Sequence, residues 1–183
     1  KELGQSLGGT FRVVVNGLLP ALGGFEEARS RLTSKLGGAL FSIPAIKGVE
    51  FGIGFQNAEV LGHEAHDEIY LDKKKGFMRR TNRAGGLEGG MTTGMPLIMT
   101  AAMKPIPTQI DPLNTVNIDT LEVDKASTER SDVCAVPAAS VVAEAEVAFV
   151  IAQAYLDKFG SDNMTDIKAN IESFKKRIKT MSR

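Results

Sequence analysis

The amino-acid sequence predicts a mixed α/β chain folded as one unit. A β-branched run at residues 10–16 reads as a strand, apolar residues at positions 28, 32, 36 and 40 fall on one helical face, and the last third is dense in Ala, Val and Ile at helical spacing. At 183 residues the chain is long enough to bury a core, and no low-complexity linker or tandem repeat divides it.

Taken in order, TFRVVVN at residues 10–16 is the first strand, closed by Gly17 and by the turn residues from Pro20 to Gly24. A first helix is expected from Phe25, because Ala28, Leu32, Leu36 and Leu40 share a face while Glu26, Glu27, Arg29 and Lys35 lie elsewhere; it ends near Phe41. Val49, Phe51, Ile53 and Phe55 alternate with Glu50, Gly52 and Gly54, the period of a strand whose second face is bare, with room for something to lie close against it. Strand, helix and strand over residues 10–55 make a unit that a larger fold could duplicate. Lys73 to Lys75, with the segment to Arg80, read as a basic solvated loop, and Thr115 to Val123 as a further strand. Ala138 to Phe159 is apolar on nearly every side, which predicts a helix enclosed by other elements, some of them outside this chain. Ile167, Ile171, Phe174 and Ile178, with Lys and Glu between them, predict an amphipathic last helix packed through one stripe. These signals alone leave an all-parallel sheet open.

The 22 basic and 22 acidic residues cancel, so no overall field draws the chain to nucleic acid or to an anionic membrane, and anion binding has to be local. One cysteine, Cys134, excludes an internal disulfide and fits a reducing compartment; flanked by small apolar residues, it reads as a packed, inert thiol. The longest apolar run, about Val147 to Leu156, reads as too short to span a bilayer, so a soluble cytoplasmic protein is expected. The chain opens with Lys1 and shows no signal-peptide pattern, which reads as a piece of a longer protein.

Three segments carry chemistry. Residues 85–94 hold five glycines, a density that argues for left-handed backbone or for a closely approached cofactor or anion; a glycine-rich loop without special function is the competing reading. The segment contains neither GxGxxG with a following acidic residue nor GxxxxGK[ST]. KPIPT at residues 104–108 offers an ammonium as a point charge for phosphate, two prolines that fix the backbone and a hydroxyl, or else an ordinary proline-bounded loop. RSD at residues 130–132 sets a guanidinium two residues from a carboxylate, suited to bidentate phosphate recognition or to a surface ion pair.

The order of these segments resembles chorismate synthase. The likeness runs from about Gly8 to the end of the long apolar helix. It rests on Leu7, Gly8 and Gly9 before the first strand, SIPAIKGVEFG at 42–52, AGGLEGGMTTG at 84–94, KPIPT at 104–108 and RSDVCAVP at 130–137. Five segments in one order are more specific than any one of them. The resemblance implies an α+β layered fold, helices between two antiparallel sheets built from pseudo-repeated halves, of which residues 1–183 are the C-terminal half: a single FMN- and substrate-binding lobe. It also implies a lyase of aromatic amino acid biosynthesis. That enzyme makes chorismate from 5-enolpyruvylshikimate 3-phosphate by 1,4-anti elimination of phosphate, with reduced FMN as cofactor and NADP as the linked nicotinamide. A homotetramer with no nucleic-acid or membrane partner is implied as well.

Carried over by position, the FMN contacts fall at Pro44, Ala45, Gly89, Lys104, Pro105, Ile106, Pro107, Thr108 and Arg130. Arg130 also serves the substrate, Asp132 handles a proton beside the flavin, and no metal is implied. Pro44 departs from the asparagine of some members, which restricts its contact to backbone or ring surface. Asp132 has a simpler reading, a carboxylate that only orients Arg130. The family's two functional histidines sit in motifs of the types GSHG and RPGHAD, which do not occur here, nor does its arginine- and serine-rich flavin segment. His63 and His66, in GHEAHD, match no catalytic motif and read as solvated or structural; their HxxH spacing lacks a third metal ligand nearby. Two functions stay open: part of a chorismate synthase, inactive in isolation, or a non-catalytic flavin- or phosphate-binding module without the catalytic histidines.

Overall fold

The computed structural model of the chain describes residues 4–72, 76–129 and 132–180. Its first half runs β1 (Gly9–Val15), α1 (Leu32–Ser42), β2 (Ile46–Phe51), a 3-10 turn (Gly54–Ala58), α2 (Gly62–Ala65), β3 (Ile69–Asp72) and β4 (Gly76–Arg79). The second half runs β5 (Leu87–Glu88), β6 (Met91–Thr92), β7 (Leu97–Met103), β8 (Asn114–Val116), β9 (Val123–Lys125), α3 (Val136–Phe159) and α4 (Met164–Thr180). Every pairing among the described strands is antiparallel, which closes the parallel alternative and gives an α+β fold.

At the centre, β7 lies between β1 and β2 and pairs with both, from Gly9 and Ile46 opposite Met103 to Val15 opposite Leu97. β1 and β2 are therefore parallel to each other, joined through α1, with a later strand inserted between them. Side chains alternate across this sheet. Phe11, Val13, Leu97, Met99 and Ala101 face a core completed by Leu32, Leu36 and Leu40 of α1 and by Ala139, Ala143, Val147, Ile151 and Ala154 of α3. Thr10, Arg12 and Val14 share the opposite face with Gly48, Glu50, Ile98, Thr100 and Ala102.

Several expectations are corrected. The first helix starts at Leu32, not Phe25. Residues 25–31 form turns in which the Ser30 hydroxyl bonds the Glu27 carbonyl, Gly24 N–H bonds the Ser30 carbonyl, and Leu32 N–H is taken by Gly90. The second strand covers Ile46–Phe51 and stops where Gly52 adopts φ +60°; Phe55 is on the 3-10 turn, 81% exposed. Gly76–Arg79 is a strand paired with β3 rather than a solvated loop, and Lys73 to Lys75 lie outside the described residues. The expected strand from Thr115 to Val123 is a hairpin of β8 and β9, its turn held by Asn117, whose Oδ1 accepts from the Asp119 and Thr120 amides.

The long helix begins at Val136 with Pro137 in its first turn, where the missing N–H costs nothing. It is not enclosed on every side: Val141, Val142 and Phe149 are exposed on the flank away from the core. Its 24 residues are long and apolar enough, by length and composition alone, to cross a membrane, which corrects the shorter estimate; its inner stripe packs on β1 and α1, as a core helix's does. The last helix meets expectation. Ile167 and Phe174 are buried, Phe174 stacks edge-on to Phe159 at 5.5 Å, and Lys158 lies 4.8 Å over the Phe174 ring. Burial, with Arg177 nearby, lowers the Lys158 pKa.

Candidate functional site

Two predicted flavin segments meet at the Met103 end of the central sheet. α1 ends at Ser42, and the chain turns through Ile43, Pro44 and Ala45 into β2; Ala45 holds φ +69°, a conformation that crowds an L side chain. That turn aims the Ala45 carbonyl at β7, where it accepts the Lys104 N–H at 2.9 Å. Lys104, Pro105 and Pro107 are exposed, and Ile106 and Thr108 half-buried. The Ser6 hydroxyl bonds the Ile106 carbonyl, and Gly8 is in close approach, since a Cβ there would stand 2.4 Å from the Met103 carbonyl. Leu7 N–H bonds the Val133 carbonyl, which brings residues 132–136 to the same place. Asp132, exposed, lines a shallow depression with Gly4, Ser6 and Thr108. Pro44, Ala45, Lys104–Thr108 and Asp132 are thus gathered at one sheet end; Arg130 lies outside the described residues.

The glycine segment serves two purposes. Gly85 and Gly52 stand back to back: a Cβ on Gly85 would come 2.2 Å from the Gly52 nitrogen, so this pair exists for backbone packing against the protein's own chain. Gly89 differs. It opens the two-residue turn between β5 and β6, where Gly89 and Gly90 have φ of 58° and 86°, the left-handed pair that such hairpins favour. It is exposed, with nothing within 4 Å of a Cβ position. Gly86 backs onto Pro96 and Leu97, so the hairpin springs from the far end of β7, about 23 Å along the strand from Lys104 at roughly 3.3 Å per residue. Gly89 and the Lys104 cluster therefore do not share one pocket within the described residues.

Sequence reasoning missed Asp67. Only 7% exposed, it accepts from Thr81 Oγ1 at 2.5 Å and from the amides of Arg83 and Ala84 at 2.7 and 3.0 Å. Burial on its own raises the carboxyl, but these three hydrogen bonds and the Arg79 guanidinium more than offset it and hold Asp67 below the usual carboxylate range. Arg79 also donates to the Asp67 carbonyl at 3.0 Å and to Glu88 at 2.5 Å, beside Gly89. Asn82 donates to the Pro96 carbonyl at 2.8 Å. The glycine segment is thereby pinned at its start, at its turn and at its exit. An aspartate next to His66 was the one available signal, and it was hidden by the HxxH reading.

His63 and His66 are exposed on α2 and at its end, and Cys134 is half-buried at the entry to α3. Among the described residues no three His, Cys, Asp or Glu side chains are grouped to hold a metal.

This arrangement has relatives. A model of the family described as chorismate synthase matches residues 1–156. The chorismate synthase of Geobacillus sp. (strain WCH70) is 54% identical over 176 residues, covering 96% of this chain and 45% of the relative, and that of Bacillus subtilis (strain 168) is 53% identical over the same coverage. A crystal structure of chorismate synthase superposes with a TM-score of 0.82 at 40% identity, over 98% of this chain and 46% of that one. The chain thus spans less than half the length of the relatives it matches, but within that span sequence and fold agree: it belongs to the chorismate synthase family.

Proposed function

We propose that this chain forms one wall of the flavin and phosphate site of a chorismate synthase. The observation that carries the reading is the Ala45–Lys104 hydrogen bond, which brings two motif segments, distant in sequence, to one sheet end beside Asp132. The residues suit an anionic cofactor such as FMN. The Lys104 ammonium is exposed and, among the described residues, paired with no carboxylate; the open Gly89 turn, at the other end of β7, is a separate stretch of surface where a ligand can approach backbone. Lys104 supplies a point charge for phosphate, Pro105 and Pro107 fix the backbone around it, and Arg130 adds a bidentate donor for flavin or substrate phosphate. Pro44 and Ala45 bound the same end through backbone and ring surface. Asp132 holds or moves a proton on its carboxylate. Reduced flavin, when bound, supplies transient electron donation that eases departure of phosphate from 5-enolpyruvylshikimate 3-phosphate. The protein acts in the cytoplasm as a homotetramer.

Titrating FMN into the purified chain, followed by flavin absorbance and fluorescence quenching, tests the reading. Lys104→Ala and Arg130→Ala are each expected to weaken binding roughly 10- to 100-fold, the range for a lost hydrogen bond to a charged group. Unchanged affinity in both would falsify the assignment. Chorismate formation with reduced FMN is expected to be weak or absent for residues 1–183 alone, since the histidine motifs are not among them; binding without turnover when those motifs are restored in a longer polypeptide favours the non-catalytic module.

A further inference from the structure

The outward face of the central sheet carries a charged row whose two members do not pair with each other among the described residues. Arg12 of β1, Thr100 of β7 and Glu50 of β2 stand abreast in register. At about 4.8 Å per strand, the Arg12 and Glu50 backbones are about 10 Å apart, and among the described residues no ion pair joins the two side chains. Arg12 is exposed and has no carboxylate partner among the described residues; Glu50 accepts only the Phe55 amide at 3.3 Å. The neighbouring row is Thr10, Ala102 and Gly48, small and flat, and beyond Arg12 the apolar Val14 is 49% exposed beside Ile98.

We infer that this face docks on the same face of a second copy, about a two-fold axis lying between the sheets and running along β7. Such an axis carries β1 of one copy over β2 of the other. Arg12 then lies over the second copy's Glu50, twice by symmetry, and Thr10 lies over the bare backbone of Gly48. An axis running across the strands instead stacks Arg12 on Arg12 and Glu50 on Glu50, which like-charge repulsion disfavours. Charge therefore selects both the occupant, an identical face, and the orientation. The inference rests on the self-assembly proposed above and adds the face that performs it; it is independent of the flavin chemistry.

Sedimentation equilibrium of the chain tests it, with circular dichroism confirming that each variant folds. Arg12→Glu and Glu50→Arg are each expected to weaken self-association about tenfold or more, while the double reversal returns it to within about threefold of the parent. Glu50→Gln keeps an acceptor for Phe55 and is expected to weaken association less than the reversal, with a shallower salt dependence. A parent chain that stays monomeric at its highest soluble concentration overturns both the assembly and this face. Self-association of equal strength in all variants leaves the assembly standing, overturns this face and gives its covering to another segment.

Discussion

Two residues show how the fold uses local conformation and charge to hold the candidate site. Ala45 sits in the left-handed region, which costs an L residue about 1–2 kcal/mol, and the conformation persists because it delivers the Ala45 carbonyl to Lys104. Ala45→Gly is expected to raise stability by about 1 kcal/mol in urea unfolding, and a fall in stability would sink the strain argument. Asp67 works through hydrogen bonding. Its folded pKa lies below the ordinary 3.8, so its stabilisation is complete above about pH 4 and disappears as pH falls through the depressed value. Asp67→Asn, which turns an acceptor toward two backbone donors into an amide, is expected to cost about 1–3 kcal/mol at pH 7 and to flatten the acid limb of stability against pH. Thermal melts of parent and variant between pH 3 and pH 7, a range set by the carboxylate pKa scale, provide the check.

At the scale of elements, legibility followed the strength of periodic burial. β1 and the two C-terminal helices were readable because β-branched residues and 3.6-residue spacing both reflect one buried face. β7, the central strand, went unseen: its Leu, Met and Ala residues are poor strand markers, and only its place between β1 and β2 makes them one. The helix boundary at Leu32 depended on the Gly90 carbonyl, a contact 58 positions away that no local pattern announces. The motif segments were legible as sequence, yet the roughly 23 Å of β7 between Leu97, where the Gly89 hairpin springs, and Lys104 was not, because it follows from strand order rather than spacing. The glycines divide accordingly. Gly85→Ala is expected to destabilise the chain by more than about 2 kcal/mol, since it drives a methyl into the Gly52 backbone. Gly89→Ala is expected to cost about 1–2 kcal/mol from its φ alone while weakening FMN binding, and comparing chemical melts with flavin titrations separates the two roles.

For the molecule as a whole, the outer stripe of α3 is an apolar surface left open to solvent. Val141, Val142 and Phe149 are exposed at 67%, 47% and 76% along a helix that is apolar for most of its length. Phe149→Lys is expected to change unfolding free energy by less than about 0.5 kcal/mol, since little burial is lost, while raising solubility and lowering the binding of a hydrophobic dye. A loss above about 2 kcal/mol instead would mean that the ring is covered in solution.

The insertion of β7 between two earlier strands also dictates an order of events during synthesis. β1 and β2 are complete by Phe51, but among the described residues neither pairs with any strand other than Leu97–Met103, so within this chain both lack a partner until that strand has left the ribosome. Until then both strands wait as open edges, able to recruit a foreign strand. A chain that stops at residue 96 would therefore keep the sequence of two sheet strands and possess no central sheet at all.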